Sequence, residues 1–243
     1  MQRRVKQLHN VLIIGSGPGA VLARDWTRNP FEHTLAINNA WQVRHDWGSL
    51  IFPDDFPSNR LPELHTNQQK LIRSRDYVPV QNRFGGFVYA GGTMAFTAAY
   101  WALGTFKPKV IAMIGCDMVY PRVGSTHFYG SGQADPLRDD ISLRSLPAKS
   151  ARLMALAARN GCAMVNLSDD PSQLTFPRTR PLSAAARKPL QHDASAVAAA
   201  LAEEARLGYF VASGKYWKEE TRFDPAKIDA LDAMWLALSP PAQ

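Results

Sequence analysis

Cysteine is nearly absent from this 243-residue sequence: there are two, Cys116 and Cys162, each inside an apolar run. Two thiols make neither a disulfide framework nor a zinc-type spacing, so the expectation is a reducing cytoplasm with both as small core residues. Charge is sparse at 20%, and no stretch reaches eighteen consecutive apolar residues, which argues against a membrane-spanning helix. No export signal is expected either: Met1 to Lys6 is basic, but the apolar run Val11 to Ile14 is too short for a signal-peptide core. The net charge of +7 comes without an RNP-like aromatic strand, a zinc finger or a recognition-helix pattern, so nucleic acid is not expected as a partner. An anionic ligand suits that charge, as does peripheral contact with an anionic membrane. What is present in quantity is apolar residue, 46% of the chain, enough for the core of one large domain or of a domain with a small appendage.

The apolar runs predict strands at 11–14, 34–37, 109–115 and 162–167, each ending in polar or glycine-rich residues. Helices are expected from Ala20, over 93–103, over 142–160 with Gly161 as a C-terminal cap, over 194–207 and over 225–238. The stretch 47–62 is rich in Pro, Asp and aromatics and reads as a loop. Strand–loop–helix alternation to about residue 170 predicts an α/β fold: a Rossmann-like open, mostly parallel sheet with helices on both faces. The division expected is a nucleotide-binding domain over 1–170, then a connector and helical appendage over 171–243 serving as a lid or an oligomer contact.

In open α/β sheets ligands bind beyond the carboxyl ends of the strands. After the first strand stands Gly15-Ser16-Gly17-Pro18-Gly19, where backbone N–H groups can approach phosphate oxygens. A dinucleotide site also needs an acid at the end of the second strand to hold the ribose hydroxyls; here that place is filled by Asn38-Asn39, so NAD and FAD lose ground. No Gly-Lys-Ser/Thr follows the loop, which removes a Walker-type site. After the central strand, Asp117, Tyr120, His127 and Tyr129 place a carboxylate, an imidazole and two phenols within thirteen residues. Tyrosines donate to phosphate, and a histidine titrating near neutrality serves as a general base.

The order Gly15-Ser16-Gly17-Pro18-Gly19, Ile37-Asn38-Asn39, Gly91-Gly92-Thr93-Met94, Gly115-Cys116-Asp117 and Tyr120 resembles the bacterial sialyltransferases that use CMP-sialic acid. The stretch from Gly115 through Gly124-Ser125-Thr126-His127 is also similar to the 6-hydroxymethylpterin diphosphokinase-like group, which includes motility-associated glycosyltransferases. The likeness spans roughly residues 10–170. It implies a glycosyltransferase with no obligatory metal, taking a nucleotide-sugar donor and a glycan or other hydroxyl acceptor. Ser16 falls where that family has Asn, Asn38 falls on its nucleotide-holding Asn, Gly92 and Thr93 lie near the phosphate or sugar, and Tyr120 lies near a phosphate-binding tyrosine. His127 is the candidate base, with Asp117 beside it, and Tyr129 and Arg178 are further donor contacts, Arg178 and Arg180 closing over an anionic donor from the connector. Ser16 and Gly19 depart from the family's Asn and Ser. The alternatives are a Mg2+-dependent diphosphokinase, requiring Asp54, Asp55, Asp117 or Asp135 to converge on the metal, and a nucleotide- or sugar-binding module without turnover.

Overall fold

The computed structural model of the chain describes residues 9–26, 30–120, 124–130 and 138–240. Six strands are present: β1 (Asn10–Ile14), β2 (His33–Ile37), β3 (Ser49–Ile51), β4 (Lys70–Ile72), β5 (Val110–Ile114) and β6 (Ala163–Asn166). They form one sheet in the order β4-β3-β2-β1-β5-β6, and every neighbouring pair is parallel. The continuous apolar runs follow from burial on both faces. Val11 and Ile13 of β1 enter one hydrophobic cluster while Leu12 and Ile14 enter the other.

The first face is covered by α1 (Ser74–Asn82), α2 (Phe87–Ala90), α3 (Met94–Phe106) and α4 (Leu146–Arg159), with α6 (Ala194–Leu207) and α7 (Pro225–Leu236) packed outside them. α3 is built of small and aromatic residues and is buried all round from Ala95 to Leu103. The second face is thinner. Short 3-10 turns at Pro18–Ala23 and Asn38–Gln42, together with Phe31, Trp47, Phe52 and Ala184 of α5 (Pro181–Ala184), cover it.

Two expectations need correction. The helix read from Ala20 is a six-residue 3-10 turn, Pro18–Ala23, too short to bring an appreciable helix dipole to the glycine loop. The loop read over 47–62 contains β3, and β4 and α1 were not foreseen. Strands of three residues show no periodicity, and Pro79 inside α1 hides its helical pattern. α1 is nevertheless started firmly, by Arg73 N–H donating to the Asp76 carboxylate at 3.0 Å.

Residues beyond 171 share the core of the main sheet: Val197, Ile228, Leu231 and Trp235 belong to the same cluster as Phe96 and Tyr100. Two buried ion pairs fasten α6 and α7 to α4. Arg152 meets Glu204 at 2.6 Å and Lys149 meets Asp232 at 2.7 Å. Burial opposes the Arg152 charge, but the adjoining Glu204 carboxylate outweighs it and keeps the guanidinium protonated. Burial pushes the Lys149 ammonium down and the Asp232 carboxyl up, each toward its neutral form. Among the described residues, no helix is long and apolar enough to cross a membrane. The basic segment Met1 to Lys6 lies outside the described residues.

Candidate functional site

The chain leaves β4 through α1, α2 and α3 and re-enters the sheet as β5 on the far side of β1, so the strand order reverses between β1 and β5. At such a switch point the connections leave in opposite directions and open a crevice at the carboxyl edge. A cleft of about 1560 Å³ lies there.

Its floor is made by glycines that let two strand ends touch. Gly15 N–H donates to Ile114 O and Gly17 N–H to Gly115 O, both at 2.8 Å. A Cβ on Gly15 would stand 2.2 Å from Gly115 O. These glycines therefore bring backbone against backbone, a role separate from the phosphate approach that the motif suggests. Ser16 turns its hydroxyl toward Ile37 O at 3.4 Å, and Ser16 O accepts from Phe128 N–H at 3.0 Å. The glycine loop is thus tied both to β2 and to the loop that carries His127.

At the end of β2, Asn38 takes a left-handed backbone with φ 53°, which Asn tolerates well. The side-chain carbonyl oxygens of Asn38 and Asn39 are buried and have no hydrogen-bond partner among the described residues. Asn39 is only 5% exposed. A buried amide oxygen left unpaired costs roughly 1–3 kcal/mol, so these two are acceptors open to a donor from water or from a bound molecule.

On the opposite side, His127 lies against Tyr129 with ring centroids 5.0 Å apart and against Tyr120 at 6.0 Å. His127 Nδ1 pairs with Thr126 Oγ1 at 2.9 Å, and Nε2 has no partner among the described residues. Burial lowers the His127 pKa, so the ring is neutral at pH 7. In the tautomer that carries its proton on Nδ1 and donates it to Thr126 Oγ1, the Nε2 lone pair is free to accept one. Asp117 follows Cys116 at the β5 end. Its carboxylate accepts from Asn166 Nδ2 at 3.4 Å and its carbonyl accepts from Gln173 N–H at 2.9 Å. Nothing connects Asp117 to His127 directly.

A third group closes the cleft, and nothing in the sequence pattern announced it. Tyr216, from the 3-10 turn Tyr216–Lys218, donates to the Asp140 carboxylate at 2.8 Å. Ser142 Oγ meets Asp140 at 2.5 Å and Tyr216 at 3.1 Å, while Arg138 reaches Asp140 at 2.9 Å and Gly92 O at 3.2 Å. Burial opposes the charge on Asp140, yet the bonds from Ser142, Tyr216 and Arg138 hold its carboxyl below the usual value. Burial pushes the Tyr216 phenol up to about 12. Gly92 is the keystone: a Cβ there would lie 2.4 Å from the Tyr216 hydroxyl, while Gly92 N–H donates to Ser142 Oγ at 3.0 Å. The Thr93 hydroxyl caps α3 by accepting from Phe96 N–H at 3.2 Å. Gly92, Thr93, Met94 and Ala95 all line the cleft. The helix that brings its positive end there is therefore α3, thirteen residues long, in place of the 3-10 turn after β1.

The structure thus brings Gly15, Ser16, Gly17, Pro18, Asn38, Asn39, Gly92, Thr93, Asp117, Tyr120, His127 and Tyr129 to one cleft. Gly19 and Arg178 do not line it. Gly19 lies inside the 3-10 turn facing Asp170. The Arg178 guanidinium donates to Ser168 O and, at 2.7 Å, to Asp170 O, so it braces the loop after β6 instead of reaching a donor. Asp54 and Asp55 line the cleft beside Tyr77, whose phenol is pushed up to about 12 by burial and by those two carboxylates. Among the described residues no three His, Cys, Asp or Glu side chains come together as a metal site. Asp135 lies outside the described residues.

No protein-family model matches the chain, and neither the curated proteins nor the solved structures give a match.

Proposed function

We propose that this protein is a glycosyltransferase that draws on a nucleotide-activated sugar, CMP-linked and sialic-acid-like, with His127 as general base. The observation that carries the reading is the division of one cleft into two chemical stations. Asn38 and Asn39 offer unpartnered acceptor oxygens at the β2 end, suited to a base edge or ribose hydroxyls. His127, neutral and with Nε2 unpartnered, stands with Tyr120 and Tyr129 beyond β5. The CMP-linked form of the donor rests on the likeness of the motifs to the sialyltransferases.

In the transfer, the acceptor hydroxyl gives its proton to His127 Nε2 as its oxygen bonds the anomeric carbon. The bond from that carbon to the phosphate oxygen breaks, and CMP leaves with the electron pair. Tyr120 and Tyr129 donate hydrogen bonds to the departing phosphate, and the α3 N-terminus favours its charge. Arg60, Arg75 and Lys215, which also line the cleft, are the cations available to an anionic donor.

The test pairs CMP-induced thermal stabilisation with CMP release from a CMP-sialic acid donor. The expected result is stabilisation without metal and turnover that falls about 10²–10⁴-fold in His127→Ala, with binding retained. Stabilisation only by ATP with Mg2+ would replace this reading with the diphosphokinase. CMP binding that survives His127→Ala without any turnover in the unaltered protein would make it a binding module.

A further inference from the structure

Four aromatic rings run along one wall of the cleft in an unbroken series. Tyr77 lies 6.3 Å from Phe87, Phe87 is stacked 6.4 Å from Tyr216, and Tyr216 lies 5.5 Å from Trp217, centroid to centroid. All four line the cleft. They come from α1, from α2 and from the 3-10 turn at 216–218, segments up to 140 residues apart that only the fold assembles. The series begins buried, at Tyr77 with 7% exposed, and ends in the open, at Trp217 with 55%.

Trp217 stands half in water at the cleft, whereas Trp47, Trp101 and Trp235 are buried in the core. Trp217 is also held in place. Its neighbour Tyr216 is pinned by Asp140, Ser142 and Arg138 at 2.8–3.2 Å, which fixes the backbone that carries the indole. A rigid, exposed aromatic face on an anchored turn is preorganised for a flat apolar surface.

Charge decides what kind of surface. Groups of both signs line the cleft, the carboxylates of Asp54, Asp55, Asp117, Asp139, Asp140, Asp170 and Glu220 and the cations of Arg60, Arg75, Arg138 and Lys215, so acceptors and donors stand together. A lipid chain would strip water from these groups without returning hydrogen bonds. A neutral pyranose satisfies both features, with one face of C–H groups for the rings and a rim of hydroxyls for the carboxylates and cations. The volume agrees: about 1560 Å³ exceeds the roughly 300–1,000 Å³ usual for a single small ligand.

We infer that the wall from Tyr77 to Trp217 is the acceptor subsite and that it takes a neutral pyranose stacked on Trp217. This rests on the glycosyltransferase reading for the word acceptor, but not for the binding itself. The experiment is saturation-transfer NMR with lactose and methyl β-glucoside as probes. It is run on the unaltered protein, on Trp217→Ala and on Phe210→Ala, a 42% exposed aromatic that does not line the cleft. CMP-induced thermal stabilisation is read on the same samples. The expected result is saturation transfer to ring C–H protons of at least one probe that weakens about tenfold in Trp217→Ala. It is unchanged in Phe210→Ala, and both variants keep the stabilisation by CMP. No transfer to either probe from the unaltered protein, or equal transfer from Trp217→Ala, overturns the inference while leaving the donor reading intact if CMP still stabilises. Trp217-dependent transfer without any response to CMP upholds the saccharide subsite and removes the donor reading.

Discussion

Glu204→Ala is the sharpest test of how the C-terminal helices are held. The Glu204 carboxylate accepts from Arg152 Nε at 2.6 Å, from Arg152 Nη2 at 2.8 Å and from Trp235 Nε1 at 2.9 Å. Arg152 also donates to the Tyr100 hydroxyl at 2.7 Å and to Phe84 O at 2.6 Å. With side chains 1% and 6% exposed, removal of Glu204 leaves a guanidinium charge in the core with no counter-charge. The loss is about 3–5 kcal/mol, which for a chain of this size lowers the melting temperature by roughly 6–20 °C. Urea denaturation and calorimetry measure it. Arg152→Met strands the carboxylate in the same way. The double variant Arg152→Met with Glu204→Leu removes both charges and leaves the Tyr100 hydroxyl, the Phe84 carbonyl and the Trp235 N–H without those partners. It is therefore expected to lose less than the sum of the single losses. A Glu204→Ala loss under about 1 kcal/mol, or additive losses in the double variant, would refute the argument that a desolvated pair fastens α6 to α4.

Two further outcomes follow from buried polar groups. Burial, with a contribution from Lys70, lowers the His33 pKa to about 4, whereas in the unfolded chain it is near 6.5. The unfolded state therefore takes up a proton first as pH falls. This contribution to stability is complete above about pH 6.5 and is lost between there and about pH 4, up to about 3 kcal/mol in all. Urea midpoints at pH 7 and pH 4.5 should show a fall that His33→Gln reduces; an equal fall in that variant would reject the assignment. Asn39→Leu removes an unpartnered buried carbonyl, so stability should hold or rise by about 1 kcal/mol while stabilisation by CMP disappears. Retention of the CMP response would show that Asn39 does not face the nucleotide.

The four long strands and the polar clusters at their ends were legible in the sequence because each signal is local. A buried parallel strand must be apolar throughout, and the chain must turn at its end, so 11–14, 34–37, 109–115 and 162–167 announced themselves together with Gly15, Asn38, Asp117 and the residues after them. The same local logic misread the turn after β1. Apolar residues from Ala20 to Trp26 look helical, but β1 lies so close to β5 through Gly15 and Gly115 that the chain leaves it as a short 3-10 turn. β3 and β4 owe their existence to pairing with β2, since three residues have no periodicity of their own.

Tertiary structure alone decided which polar residues share the cleft and which are employed elsewhere. Arg178 had the right charge for an anionic donor, but carbonyls of the loop after β6 engage it. Tyr216 and Trp217 gave no sign in sequence, being one aromatic pair in the unpatterned stretch between the two tail helices; Asp140 and Gly92, far from them in sequence, fix Tyr216 at the wall and with it the place of Trp217. Periodicity reports which face of an element meets the core, so strands and helices were readable from it. The cleft is a meeting of strand ends and of segments up to 140 residues apart, and their mutual positions are set by packing that no local pattern encodes.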